Sequence, residues 1–472
     1  MKYLKEILAI IDEHSHQKFP ILKPEERQSL LEVYHPDNSP RGKEELTFGP
    51  NKGQLLPKEL LNIMLKTYNY PMVMEEDETD LLVIGSGGAG ISAALEAVSK
   101  KVKVMLVTKD KVGASNTVLA RGGMAVALGT EDLPSIHIED TLKAGNSNNV
   151  KLVDVMTREA LNIVPWLEKM GMDFDKVDEN KYRLIAGAGH SQKRVMTYKG
   201  FIGPRLMKTL INALRNSRVN VVPFNQSVEL ICEENQCLGA VVYDRLKHEY
   251  KKIWAKAVVL TTGGLGGLNP LGFPTCNHGS ICGEGLAIAY KSGVKLIDMD
   301  SSQFHPTGAL WPEPIKGMLI SEGVRSLGAS LYNALGKQFV NPLETRDVVT
   351  AAIIKEIIEE RGIKLPQGEM GIIMNSYALP EEALRKSLGN IYTKLLRHGY
   401  NPQTTPIIVG PTYHYQNGGL AIDDNGRTTI KGLWAAGEVT GGIHGKNRLG
   451  GNALTDALVF GRRAGYDAAQ MI

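Results

Sequence analysis

The sequence predicts an α/β protein built around a nucleotide-binding βαβ unit, and three observations predict it. The apolar run Leu81–Ile84 reads as a buried parallel strand, since both faces of such a strand are covered. Gly85-x-Gly87-x-x-Gly90 follows it, and an Ala-rich helix (Ala89 to Ser99) then leads to a second apolar strand, Val102 to Val107. Far downstream, a Gly-rich segment from Gly437 to Gly465 sets Glu438, His444 and Arg448 among glycines that let backbone approach a large planar ligand.

Each glycine of the first motif has its own task. Gly85 makes the tight turn, Gly87 admits a pyrophosphate, and Gly90 permits close helix–strand packing. Ser86, Gly88 and Ala89 complete the loop, and the helix N-terminus offers free N–H groups to an anion. The motif alone is weak; its place between a strand and a helix gives it weight. The acid that usually holds the ribose at the end of the second strand is absent. Thr108 and Lys109 stand there, so the site uses a hydroxyl or takes a carboxylate from elsewhere, Glu438 being the candidate.

From the N-terminus, Leu4, Ile7, Leu8 and Ile11 mark one face of a helix. A second helix is expected over roughly Pro24–Tyr34 and a third over Pro57–Thr67. The Pro-, Gly- and Asn-rich stretch between them reads as a loop. This extension, residues 1–78, either clasps its own chain or docks a partner, and the sequence leaves both open. At 472 residues and 43% hydrophobic, the chain can bury two or three domain cores. A net charge of +3 without a Lys/Arg run argues against nucleic acid, and no apolar stretch is long enough to span a membrane. Lys5, Glu6, Asp12 and Glu13 interrupt any signal-peptide core. Cys232, Cys237, Cys276 and Cys282 lack the spacing for zinc or an iron–sulfur cluster, so no metal site is expected; reduced thiols in a cytoplasmic protein are the default.

Ten segments occur in one order: GSGGAG (85–90), SNTVLARGGMAVALG (115–129), DTLKAG (140–145), TTGG (261–264), GEG (283–285), QFHPTG (303–308), SEGVR (321–325), RDVV (346–349), HYQNGG (414–419) and the C-terminal block. Together they resemble the flavoprotein subunits of the fumarate reductase, succinate dehydrogenase and L-aspartate oxidase family, from about Thr79 to Gly465. The resemblance implies a Rossmann-like FAD-binding domain over 79–302 and 413–472, an inserted α+β capping domain over 303–412, and the helical N-terminal extension outside both.

What the resemblance implies about the cofactor is specific. Ser115, Thr117, Gly122 and Gly123 match the segment that in quinone-linked members carries a His bonded covalently to the flavin. Asn116 stands at that position, so FAD is expected to be non-covalent. Thr262 and Gly263 fall in a cofactor loop, and Glu284 replaces the family's Asp near the adenosine. Glu438, Arg448, Asn452, Ala453 and Leu454 complete the cofactor residues.

For the substrate, a small dicarboxylate, the resemblance assigns His305, His414 and Arg448 to the carboxylates, helped by Thr307, Ser321 and Glu322. Arg346 matches the family's proton-donating arginine, with Glu322 and Arg325 spaced like its relay. Taken singly, His305 reads as a turn histidine and Arg346–Asp347 as a helix-start ion pair; their joint order favours the functional reading. His137, His190, His278 and His398 read as structural or surface groups, His190 in a loop bordering the flavin.

Within the family the residues favour a dicarboxylate reductase over L-aspartate oxidase. Gly187 stands where the oxidases carry a Glu for the substrate ammonium, and Gly450-Gly451-Asn452-Ala453 resembles the reductase pattern. Asn116 suits either. No haem motif lies in the chain, so electrons come from a partner, iron–sulfur or otherwise, or from a soluble donor. A flavin subunit with no dicarboxylate chemistry is the third reading; it requires loss of Arg346, His305 or Arg448, and all three are present.

Overall fold

The chain folds its first apolar run into the inner end of a longer strand. In the computed structural model, which describes residue 11 and residues 19–472 except 48, 180, 188 and 378, strand β1 spans Glu75–Ile84. The helix Gly88–Val98 follows, then β2 (Val104–Thr108), parallel to β1 with Leu81 opposite Val104 and Ile84 opposite Val107. The acidic start of β1 lacks an apolar signal because charge holds it: Glu75 and Glu76 lie opposite Lys251 and Lys252 on the strand Glu249–Leu260 and pair with them.

The residues divide into two units. The larger holds Gly42–Leu271, Asn277–Ser302 and Tyr415–Ile472. Its seven-stranded sheet adds β3 (Asn220–Pro223), β4 (Asn225–Glu233), β5 (Gln236–Asp244), β6 (Glu249–Leu260) and β7 (Leu433–Ala435), in the order β3-β2-β1-β6-β5-β4 with β7 beside β6. β3, β2, β1 and β6 run parallel, whereas β6, β5 and β4 form an antiparallel meander. The C-terminal helix Asn452–Gln470 packs on Gly88–Val98. A Cβ on Gly461 would fall 2.5 Å from the Ala89 carbonyl oxygen, and one on Gly465 2.2 Å from that of Ala93. Those glycines let two backbones meet, which draws the C-terminal Gly-rich segment to the first motif.

The smaller unit holds Met1–Arg41, Gly272–Cys276 and Gln303–His414. Its sheet orders the strands Ser302–Trp311, Ile407–Gln416, Met370–Asn375 and Ser330–Tyr332, with Ile363–Lys364 beside the third. The helix Arg346–Ile358 buries Val348, Val349, Ala352 and Ile353 in this unit's core.

The N-terminal extension divides at Arg41–Gly42 instead of forming a body of its own. The helix Pro24–Tyr34 buries Leu30 in the core of the smaller unit, donates from Arg27 to Glu344 (2.5 Å) and from Tyr34 to Glu359 (3.3 Å). Beyond Gly42 the expected loop contains a hairpin, Lys43–Glu45 with Leu55–Pro57, too short and too polar on one side to show an alternating pattern. The third helix spans Lys58–Met64, and its buried face ends at Met64. The expected first helix, apart from the buried Ile11, lies outside the described residues. No described helix is long and apolar enough to cross a membrane.

Candidate active site

In the larger unit the phosphate loop fits an anion by what its glycines do and do not touch. A Cβ on Gly85 (φ +111°) would lie 2.4 Å from the Thr261 carbonyl oxygen, and one on Gly90 only 1.9 Å from that of Gly85. Both glycines are required by the protein itself. Gly87 and Gly122 are not: the nearest atom to a Cβ on Gly87 is 3.5 Å away, and nothing lies within 4 Å of one on Gly122. Open backbone at these two positions suits close approach by a ligand. Thr262 adds a buried hydroxyl with no hydrogen-bond partner among the described residues. These features fit FAD.

Short side chains fix the loop. The Ser86 hydroxyl donates to Thr108 Oγ1 (2.9 Å) and accepts from the Gly113 N–H (3.1 Å); Gly88 N–H donates to Thr117 Oγ1 (3.1 Å). Ser115 Oγ donates to the Gly113 carbonyl (3.2 Å). Gly123 (φ +151°) lies against the Met196 carbonyl, and Gly263 (φ +76°) against Ile281. The carboxylate beside the end of β2 belongs to Glu284, which pairs with Lys109. Glu438 is engaged elsewhere, accepting from Asn116 Nδ2 (3.0 Å) and the Gln416 N–H (3.1 Å). Of the two acids, Glu284 is the one that lies beside the end of β2. Burial raises the Glu438 pKa against the pull of those hydrogen bonds and of Arg448.

Asn116 spends both ends of its amide, the second accepting from the His278 N–H (2.8 Å). Asn452 does likewise: its Oδ1 meets His137 Nε2 (2.8 Å) and its Nδ2 donates to Thr141 Oγ1 (3.0 Å). Asn452 thereby anchors the start of the C-terminal helix, leaving Ala453 half-buried in the first turn and Leu454 in the core. Arg448 is buried with its guanidinium 4.5 Å from the Tyr415 ring centre. Tyr415 donates to Asp456 (3.4 Å), which also meets His444 Nε2 (3.3 Å). Burial raises the Tyr415 pKa and lowers that of His444.

Sequence reasoning passed over a buried polar cluster behind Asn452. Arg194 donates to Asp132 (2.9 and 2.8 Å) and Asp140 (2.6 Å) and contacts His190 Nδ1 (3.1 Å). His190 Nε2 reaches the Gly450 carbonyl (2.7 Å). His137 and His190 are thus supports of the Gly450–Asn452 turn, not surface groups.

In the smaller unit the strand Ser302–Trp311 carries Gln303, His305 and Thr307, all buried. His305 Nδ1 accepts from the Thr307 N–H (3.3 Å), while the Thr307 hydroxyl donates to the Ile320 carbonyl (2.8 Å). The His305 and His414 rings meet edge to face at 5.4 Å, and His414 Nδ1 lies 3.2 Å from Cys276 Sγ. Ser321 Oγ points to the Ser387 carbonyl (3.4 Å). Arg346 opens its helix, donating from Nη1 to Gln303 Oε1 (2.9 Å) and from Nε to Glu322 Oε2 (3.3 Å). Glu322 in turn lies 3.6 Å from Arg325. The three residues named as a relay are contiguous. Gln303, which the sequence shows only as the first letter of QFHPTG, orients the far side of Arg346. Arg325 is fully buried, and burial with the nearby Arg346 lowers its pKa to about 10 despite Glu322.

Comparison with known proteins agrees with this geometry. Residues 80–454 match the FAD binding domain family. The chain is 37% identical over 410 residues to one of the subunits of the CoM/CoB fumarate reductase of Methanothermobacter marburgensis, spanning 84% of this chain and 74% of that one. It is 34% identical over 392 residues to the L-aspartate oxidase of Clostridium perfringens, spanning 82% and 86%. The solved quinol fumarate reductase flavoprotein of E. coli superposes with a TM-score of 0.78 at 29% identity, over 84% of this chain and 71% of that one. The chain belongs to the FAD binding domain family, as an FAD-dependent oxidoreductase of the fumarate reductase and succinate dehydrogenase type.

Proposed function

We propose that the protein interconverts fumarate and succinate with non-covalent FAD, fed in the cytoplasm by an electron-transfer partner or soluble donor. One observation carries the choice of substrate. A Cβ on Gly187 would lie 2.7 Å from His190 Cδ2 and 3.2 Å from Val195 Cγ2. The segment where an ammonium-binding acid is expected in an aspartate oxidase thus holds no acid, and His190, committed to Gly450, leaves no room for one. An amino-acid substrate would bring a cation with no counter-charge there.

FAD, when bound, supplies the hydride. The chain's own residues hold the anions and move the proton. Arg448, stacked on Tyr415, and His305 and His414 bind carboxylate. Arg346 gives the proton. A guanidinium is a poor acid in water, since its pKa exceeds about 12. Glu322 at its Nε restores the proton, and Arg325, whose pKa is about 10, releases one more readily than an ordinary arginine. Asn116 forms no tether, because its amide is committed to Glu438 and His278 and is not nucleophilic. Residues 303–412 serve as the capping domain of an FAD-binding domain formed by 79–302 and 413–472, with 1–78 as a helical extension. That the M. marburgensis relative is one subunit of an enzyme supports a partner for the electrons.

The test measures fumarate with reduced viologen and L-aspartate with oxygen in parallel. Viologen oxidation dependent on fumarate, competitively inhibited by malonate, is the expected result. The second reading, L-aspartate oxidase, is supported by the Clostridium perfringens relative. Flavin reduction by L-aspartate faster than by succinate, with hydrogen peroxide formed in air, would establish it instead.

A further inference from the structure

We propose that Cys232 and Cys237 form a reversible dithiol/disulfide couple oxidised by hydroperoxides. Strands β4 and β5 are joined by a two-residue turn, Glu234–Asn235, with φ of +46° and +63°. Two positive φ values in a two-residue connection mark a primed turn that fixes the strand register. That register sets Cys232 opposite Cys237. The Cys237 N–H points away from β4, donating to the Lys431 carbonyl at 2.8 Å. The two cysteines are therefore a non-hydrogen-bonded pair, the kind whose Cα atoms lie closest, about 4.5 Å apart, with side chains on one face. A disulfide spans Cα separations of roughly 4.4–6.8 Å. Cross-strand pairs of this kind fall within that range, the register shifting just beyond this one, between Ile231 and Cys232.

The two thiols differ in the way the chemistry requires. Cys232 is partly buried and the more accessible of the two, and Cys237 is fully buried. The neighbouring Cys237 thiol and Ser292 hydroxyl, whose own protons go to the Gly239 and Ile288 carbonyls, lower the Cys232 pKa to about 7 against the cost of burial. The same contact and its own burial push Cys237 up, so it stays a thiol. The reachable sulfur is the nucleophile and the enclosed one the resolving group. The Cys232 thiolate attacks one oxygen of the hydroperoxide; an S–O bond forms, the O–O bond breaks and hydroxide (or alkoxide) leaves. Cys237 then attacks the sulfenic sulfur, the S–S bond forms, and the S–O bond breaks with loss of water. Two thiols lose two electrons and two protons, and the peroxide is reduced. The bridged loop is so short that the bond adds little stability. Thiols, not melting, are the quantity to read.

The experiment treats the full-length protein with a slight excess of hydrogen peroxide, denatures it in an alkylating agent, and maps the peptides. Two of the four thiols should be lost, with a cross-linked Cys232–Cys237 peptide lighter by two hydrogens and full recovery after dithiothreitol. Cys237→Ser should stop at a sulfenic acid on Cys232 that dimedone traps, and Cys232→Ser should give neither product. Four alkylated thiols after peroxide, a sulfinate on Cys232 beside a free Cys237, or a bridge to Cys276 or Cys282 would each overturn the proposal. The wild-type map decides it even if a variant fails to fold.

Discussion

Arg194 in the larger unit and Arg325 in the smaller are both sealed from solvent, yet their surroundings treat the guanidinium in opposite ways. Arg194 meets two carboxylates in hydrogen-bonding geometry. Burial pulls its pKa down, but the bonds to Asp132 and Asp140 outweigh that and raise it. Arg325 has one carboxylate, Glu322, at 3.6 Å, and among the described residues its Nε and Nη2 make no hydrogen bond. Burial dominates there, and the neighbouring Arg346 adds to it. Equal burial thus raises the pKa of one guanidinium and lowers that of the other. The number of well-placed anions decides which.

The largest effect expected from this contrast is on stability. Arg194→Met strands Asp132 and Asp140 in the interior and should cost about 3–5 kcal/mol, the usual penalty for breaking a buried charged network. Arg325→Met should leave stability unchanged or raise it. The sign follows from its lowered pKa. A cation less stable in the fold than in the unfolded chain costs stability wherever it is charged, below about 10, and the cost fades as pH rises toward the ordinary arginine range. Urea unfolding of both variants at neutral pH checks the pair. Equal losses would erase the distinction.

Turnover is expected to move the other way. Arg346→Lys should retain FAD and keep KM within a few-fold while kcat falls roughly 10²-fold, as for loss of a positioned acid. Arg325→Met should lower kcat by roughly tenfold at unchanged KM, because it acts through Glu322. Arg194→Met, where it folds, should turn over substrate near the wild-type rate per bound flavin. A wild-type kcat in Arg346→Lys would leave Arg346 as the ion-pair residue that opens its helix.

This contrast also marks where the sequence is legible. Gly87 and Gly90 can be read because what they do is local, open backbone and a helix contact within six residues, although Gly85 also meets the Thr261 carbonyl, 176 residues away. Glu322 and Arg325 lie within one helical turn, and Arg346 is marked by its RDVV segment. Arg194 has no such signature. Its partners lie 54 and 62 residues away, and nothing in their local sequence marks them as buried. Glu284 reaches Lys109 across 175 positions, which is why Glu438, inside a richer motif, looks the better candidate from sequence. The first residues of β1 are hidden for a related reason, their strand being held by charges opposite β6, not by an apolar face.

The smallest effect expected concerns the acid limb of stability, and it tests whether the Arg194 cluster is built for a single cation. His137 is fully buried beside it. Burial lowers its pKa to about 3, helped by Arg194 and His190 and opposed by the Asn452 hydrogen bond. The imidazole is therefore neutral in the fold above about pH 3. In the unfolded chain the same ring takes up a proton below about 6.5. Between pH 6.5 and 3 the unfolded state thus binds more protons, and the native state loses stability as pH falls, by up to about 1.4 kcal/mol per pH unit. Above 6.5 the contribution is flat. His137→Gln keeps an amide donor for Asn452 and removes the titration. It should cost about 1 kcal/mol at pH near 7, the net worth of one hydrogen bond, yet overtake the wild type below about pH 6. Urea midpoints taken across that range read the crossing. Parallel curves would show that carboxylates, not this imidazole, set the acid limit, and that the cluster around Arg194 tolerates a second positive charge.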